Sequence, residues 1–148
     1  MAKMIRKNLS FTGEFVSYSF IVRKGLTVVS GDSSTGKTLF FKLKQLEAQD
    51  EGSKQYKFIN YNNADELQGI IEGTIHDKIV FIDNADVIIP DEVDCINLFK
   101  NSANQFVVFG RRIARYDVNY DNWAKLVEEE KGKIELKYII KEAGKLWQ

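Results

Sequence analysis

Residues 31–38 have the sequence Gly31-Asp32-Ser33-Ser34-Thr35-Gly36-Lys37-Thr38 and match the pattern G-x-x-x-x-G-K-[ST] at every position. This pattern is typical of a phosphate-binding loop, and each part of it has a chemical reason. The two glycines allow tight backbone turns, so that successive N–H groups point into a nest for one anion. Lys37 brings a positive charge to the β- and γ-phosphates, and Thr38 offers a hydroxyl to Mg²⁺.

The residues on either side of this loop predict a strand before it and a helix after it. Residues 26–30 form a short β-branched run that ends at Gly31, and residues 39–46 carry apolar side chains at helical spacing. Strand, loop and helix together are the context that the motif requires, with the positive end of the helix facing the phosphates. The predicted nucleotide-binding residues are Gly31, Asp32, Ser33, Ser34, Thr35, Gly36, Lys37, Thr38 and Leu39.

A second segment, residues 78–83, has the sequence Lys-Ile-Val-Phe-Ile-Asp and predicts an apolar strand that ends in an acid. It resembles the Walker B strand, whose aspartate holds Mg²⁺. The alternative is a buried strand followed by a plain Asn-Ala-Asp turn. Lys37 and Asp83 are 46 positions apart, which leaves room for a helix, a strand, a helix and a strand. Thr38 and Asp83 are therefore the predicted metal ligands.

The two motifs together resemble those of the P-loop NTPases, and more narrowly the ABC/AAA-like division with additional strands. The likeness covers residues 14–110 at the level of the fold, and residues 18–31 resemble the lead-in strand and turn of ABC-like ATPases. The resemblance implies that the chain binds ATP and Mg²⁺. GTP is disfavoured, because the sequence has no Asn-Lys-x-Asp and no Asp-x-x-Gly after the second segment.

The chain departs from this family at the residue after the predicted metal-binding acid. The family usually has a glutamate there as the base for the attacking water, whereas this chain has Asn84. An amide orients water but does not accept its proton, so Asn84 or the nearby Asp86 would position the water. The resemblance also implies a sensor-type position near Gly110, where Arg111 either stabilises phosphoryl charge or is a solvated loop residue. Arg112 and Arg115 fit solvated loop residues better.

Composition limits the classes of protein that this chain fits. Its 148 residues suit one domain over 1–148, and 44% hydrophobic residues is ordinary for a globular chain. The 21 basic and 21 acidic side chains cancel, so net charge does not indicate nucleic acid. A single cysteine, Cys95, excludes an internal disulfide and favours a reducing, cytoplasmic setting. No membrane partner is expected, because no apolar run is long enough to span one.

The predicted fold class is α/β, a three-layer α/β/α P-loop NTPase sandwich with a mostly parallel sheet. An antiparallel ribbon over residues 8–22 precedes the loop, and a helix opening after Pro90 ends near residues 101–104. Residues 123–140 fit either a helix or a β-hairpin, and the alternation in the second half favours the hairpin.

The favoured function is a Mg²⁺-dependent ATP-binding protein that acts as a minimal ATPase through a protein partner or self-association into a homo-oligomer. Its hydrolysis would be slow because the usual glutamate is missing. The catalytic candidates are Lys37, Asn84, Asp86 and Arg111. One alternative is a non-hydrolysing module whose nucleotide state controls a partner. A third, less favoured, is a small P-loop kinase. Replacing Asn84 with glutamate would raise hydrolysis if the missing base limits the rate.

Overall fold

The computed structural model describes residues 6–31, 35–100, 102–111, 116 and 118–139. The strands in these ranges are β1 (Lys7–Asn8), β2 (Phe11–Thr12), β3 (Ser17–Ser19), β4 (Ile21–Val22), β5 (Leu26–Ser30), β6 (Tyr56–Ile59), β7 (Ile79–Ile82), β8 (Gln105–Phe109), β9 (Trp123–Glu130) and β10 (Lys133–Tyr138). The α-helices are α1 (Lys37–Glu51), α2 (Leu67–Glu72) and α3 (Ala85–Ile88). Shorter helical turns lie at Tyr61–Glu66 and Tyr120–Asn122 (3₁₀) and at Ile96–Lys100 (π).

Eight strands form one mixed sheet in the order β2-β3-β10-β9-β5-β8-β7-β6. Within this order, the five strands β9, β5, β8, β7 and β6 run parallel to one another, and β3 is parallel to β10. The pairs β2–β3 and β9–β10 are antiparallel. Strands β1 and β4 form a separate antiparallel ribbon. The hairpin β9–β10 thus lies between the N-terminal strands and β5.

Both faces of the sheet are buried at its central strands β5, β7 and β8, since their neighbouring residues point to opposite sides and nearly all of them are buried. On one face, Phe40 and Phe41 of α1 pack with strand residues such as Phe81 and Phe109. On the other face, Val28, Val80 and Val108 are in a second cluster with residues from α2 and the π-helical turn. One long helix therefore covers the first face, and short helical pieces and turns cover the second.

The predicted three-layer α/β/α sandwich is wrong, because the chain is a strand-rich mixed sheet with little helix. Helices α2 and α3 have six and four residues. At 1.5 Å per residue, six residues span only about 9 Å, too short to form a helical layer. Only α1, with 15 residues, is long enough to cover a face of the sheet within the described ranges.

Some predictions for single strands and helices agree with the structure, and one does not. The predicted strands before the loop and at 78–83 correspond to β5 and β7, and residues 123–138 form the hairpin rather than a helix. The helix predicted to open after Pro90 is wrong: the Asp94 carboxylate accepts hydrogen bonds from the Ile96 and Asn97 N–H groups, so the turn starts later and gives only the π-helical segment. No helix within the described ranges is long and apolar enough to cross a membrane.

Candidate functional site

The candidate site lies at the carboxyl ends of three neighbouring parallel strands. Strand β5 ends at Ser30, β7 ends at Ile82, and β8 between them ends at Phe109. Because parallel strands end at the same edge of a sheet, the residues that follow them come together there. Each strand is followed at this edge by one of the predicted site segments, which start at Gly31, Asp83 and Gly110.

Two glycines of the loop have backbone conformations that other residues rarely adopt. Gly31 has φ 134° and Gly36 has φ 85°, both in the region open chiefly to glycine. A Cβ on Gly36 would also lie 3.0 Å from the Tyr18 hydroxyl. The predicted binding residues Asp32, Ser33 and Ser34 lie outside the described residues. The described ends of the loop thus have the tight turns that the motif predicts, and α1 begins directly after Gly36.

Lys37, the first residue of α1, is only 7% exposed although it carries a charge. Its ammonium donates hydrogen bonds to the Gly31 carbonyl and, at 3.3 Å, to the Thr35 hydroxyl. The side chain therefore folds back over the loop that it follows. Because a buried ammonium is costly without strong partners, this position is a candidate for contact with an anion.

Thr38 and Asp83 meet across the site although they are 45 positions apart in the chain. The Thr38 hydroxyl lies 3.4 Å from each carboxylate oxygen of Asp83. These are the oxygen ligands that Mg²⁺ prefers, and with a nucleotide the ion needs only one or two protein oxygens. No group of three or more His, Cys, Asp or Glu side chains suited to a metal lies within the described ranges. The pair fits a metal that is shared with phosphate oxygens.

Asp83 is 6% exposed, and burial raises the pKa of its carboxyl above the ordinary value. Hydrogen bonds from the Asn84 N–H and the Thr38 hydroxyl, together with the charges of Lys37 and Lys42, lower the pKa and offset part of the effect of burial. The folded protein therefore holds the Asp83 proton more tightly than the unfolded chain does. Ionisation of Asp83 consequently costs folding free energy.

We expect Asp83→Asn to raise the thermal stability of the nucleotide-free protein at neutral pH. Because the folded pKa exceeds the unfolded value of 3.8, the native carboxyl loses stability as pH rises from the unfolded pKa through the folded pKa. An asparagine keeps an acceptor without that charge. Thermal unfolding at neutral pH and below pH about 4 checks this, since the difference should vanish in acid. An equal or lower Tm at neutral pH would contradict the prediction.

A cleft of about 330 Å³ connects these groups with the ends of β7 and β8. Its lining residues are Lys37, Thr38, Asp83, Asn84, Asp86, Val87, Phe109, Gly110 and Arg111. All four predicted catalytic candidates and both predicted metal ligands are thus brought to one cleft. Leu39 is half exposed and does not line the cleft, and Arg112 and Arg115 lie outside the described residues.

Asn84 has a backbone conformation that explains an amide at this position. With φ 51° and ψ 47° it lies in the left-handed region, directly before α3. Asparagine enters this region more readily than glutamate does, because its short side chain is tolerated there. A glutamate at this position would be strained. The left-handed backbone therefore gives a structural reason for an asparagine at this position.

We expect Asn84→Glu to lower the free energy of unfolding by about 1 kcal/mol, because glutamate adopts the left-handed conformation at a cost. Asn84→Gly is the matched control and is expected to stay within about 0.5 kcal/mol of the native protein. Urea denaturation of both variants measures the difference. Equal stabilities for the glutamate and glycine variants would contradict the conformational explanation.

Asp86 and Arg111 meet at the same cleft, through a backbone group of the arginine. The Arg111 N–H donates a hydrogen bond of 3.2 Å to an Asp86 carboxylate oxygen. Asp86 therefore faces the end of β8. Arg111 itself is exposed at the rim of the cleft.

Sequence reasoning missed the contact between Tyr18 of β3 and the loop. Its hydroxyl donates a hydrogen bond of 3.1 Å to the carbonyl of Gly36, which also accepts the Phe40 N–H. Burial, and then the charge of Glu128, raise the pKa of Tyr18, so the hydroxyl stays a donor. A tyrosine in a strand gives no local sign of such a contact, because the pairing of β3 with β10 brings it there. Val87, at the cleft and 77% exposed, was also missed.

Comparison with known protein families, with curated proteins and with solved structures finds no match for this chain. The residues of the cleft are therefore the basis for any functional proposal.

Proposed function

We propose that this protein binds Mg²⁺–ATP at the cleft and acts as a minimal, slow ATPase through a partner or self-association. The observation that carries the proposal is the meeting of Lys37, Thr38 and Asp83 at one edge of the sheet. Two of these side chains, a cation and an acid, are more than nine-tenths buried at the wall of a cleft. Perturbed and buried ionisable groups in a cleft are typical of functional sites.

The proposed roles follow from the chemistry of each group. The N-terminus of α1 and the Lys37 ammonium would hold the phosphates, since both favour negative charge. Thr38 and Asp83 would hold Mg²⁺, which when bound neutralises phosphate charge. Arg111 at the rim would add positive charge to the phosphoryl group. The proposal includes ATP rather than GTP and a cytoplasmic location, which fits a chain with Cys95 as its single cysteine.

Slow hydrolysis is part of the proposal, because few side chains of the cleft are suited to take a proton from water. Asn84 offers an amide, which orients water but does not accept its proton at neutral pH. The other acid of the region, Asp86, faces the Arg111 N–H. These two observations also favour the second candidate function, a non-hydrolysing module whose bound nucleotide controls a partner.

Binding of Mg²⁺–ATP, with phosphate release followed in the same sample over a range of protein concentrations, tests the proposal. Release that rises faster than protein concentration supports an ATPase completed by self-association. Binding without release supports the regulatory module, and release or phosphate transfer only with an added metabolite supports a small kinase. No binding at any concentration would refute the proposal.

A further inference from the structure

The carboxylate of Asp86 spans the gap between the ends of β7 and β8. Asp86 lies in α3, three residues after Asp83 at the end of β7. One carboxylate oxygen accepts the Arg111 N–H at 3.2 Å, just beyond the end of β8. The two wall segments of the cleft are therefore joined by one side chain.

Gly110 has no side chain, and this leaves room for the contact between Asp86 and Arg111. A Cβ at Gly110 would lie 2.8 Å from the other carboxylate oxygen of Asp86 and 3.5 Å from the Asp86 backbone nitrogen. The first distance is shorter than real Cβ contacts, so Asp86 would have to move away. The glycine thus allows Asp86 to approach the end of β8 closely. Gly110 and Asp86 are therefore far apart in the chain but closely packed in the fold.

We propose that Asp86 is a positioning residue, which braces residues 110–111 against the segment that carries Asp83, and is not the base for the attacking water. The proposal rests on the proposed function, since the brace sets the width of the nucleotide cleft. Lys37 and Thr38 lie in α1 and Asp83 directly follows β7, whereas Arg111 lies beyond the end of β8, where its N–H bonds the Asp86 carboxylate. In this role Asp86 acts through its acceptor oxygen for the Arg111 N–H, whereas a base would act by taking a proton from water.

Three variants separate the two roles. Asp86→Asn keeps an acceptor oxygen for the Arg111 N–H but cannot take a proton from water. Asp86→Ala removes the acceptor, and Gly110→Ala displaces it. Asp50→Ala, at the exposed far end of α1, is the matched control for loss of an acid.

Three measurements are made on each variant: hydrogen exchange of the Arg111 amide without nucleotide, the Kd for Mg²⁺–ATP, and phosphate release. Asp86→Asn and Asp50→Ala are expected to match the native protein in all three. Asp86→Ala and Gly110→Ala are expected to speed exchange at Arg111 about tenfold and to weaken Mg²⁺–ATP binding about tenfold, through loss of positioning.

The outcomes distinguish this proposal from the proposed function. If native protein does not bind Mg²⁺–ATP, the proposed function fails, and exchange at Arg111 still decides whether Asp86 braces the strand ends. If Asp86→Asn binds normally and keeps slow exchange but loses phosphate release, Asp86 is a base and the proposal is overturned. It is also overturned if Asp86→Ala and Gly110→Ala leave exchange at Arg111 unchanged. A thermal unfolding scan of each variant identifies any that do not fold. If Asp86→Ala and Gly110→Ala do not fold, the results for Asp86→Asn decide between the positioning role and the base.

Discussion

The Lys37→Ala variant is expected to bind Mg²⁺–ATP about 100-fold more weakly than the native protein, a loss of about 3 kcal/mol. The Lys37 ammonium is buried at the cleft and already turns toward the loop, where it donates to the Gly31 carbonyl. A phosphate in the loop would offer it a charged acceptor in place of a neutral one. Because water has little access here, nothing replaces the ammonium once it is removed. Calorimetric titration with Mg²⁺–ATP measures the change.

The control for Lys37→Ala is Lys54→Ala, which removes the same charge from an exposed position beyond the end of α1. Its affinity for Mg²⁺–ATP is expected to stay within about twofold of the native value, since distant exposed charges are screened. The nucleotide-free stability of Lys37→Ala is expected to change by only about 1 kcal/mol, the value of ordinary hydrogen bonds. Native affinity in Lys37→Ala would remove this residue from the site.

Sequence patterns predicted the central strands because those strands are buried on both faces. Residues 79–82 and 106–109 are continuous apolar runs, which is the pattern of buried parallel strands. The order of the strands was not predictable from such runs. The hairpin β9–β10 enters the sheet between β3 and β5, and nothing local in residues 123–138 specifies these neighbours. The three-layer prediction failed for a second reason, because α2 and α3 are too short to form a helical layer on one face of the sheet.

The candidate site was predicted in part, for a similar reason. Lys37, Thr38 and Asp83 were expected together because the motifs put the loop that leads to α1 and the acid at the ends of strands, and the structure brings the Thr38 hydroxyl to the Asp83 carboxylate. The left-handed backbone at Asn84 and the hydrogen bond from Arg111 to Asp86 were not expected. Both depend on the path of the chain after a strand ends. Residue types at fixed spacing carry no information on that path.

The Phe40→Ala variant is expected to lose about 3–5 kcal/mol of folding stability, the largest such effect among our predictions. Phe40 is fully buried in α1 and stacks on Phe20 with ring centroids 4.1 Å apart. It also lies within ring-contact distance of Tyr18, Phe81 and Phe109. Removing the ring leaves a cavity between the only long helix of the described chain and the sheet, which neighbouring rings fill incompletely.

Urea denaturation of Phe40→Ala, with Leu46→Ala as the control on the same helix, measures this effect. Leu46 is 57% exposed, so its truncation is expected to cost at most about 0.5 kcal/mol. Natural domains have only about 5–15 kcal/mol of stability, so a loss of this size is enough to unfold a marginally stable protein. Phe40→Leu then serves as the milder test, with an expected loss of about 1–2 kcal/mol. Equal losses for Phe40→Ala and Leu46→Ala would mean that α1 does not pack on the sheet through Phe40. The site would then lose its support as well, since the Phe40 N–H bonds the Gly36 carbonyl at the end of the loop.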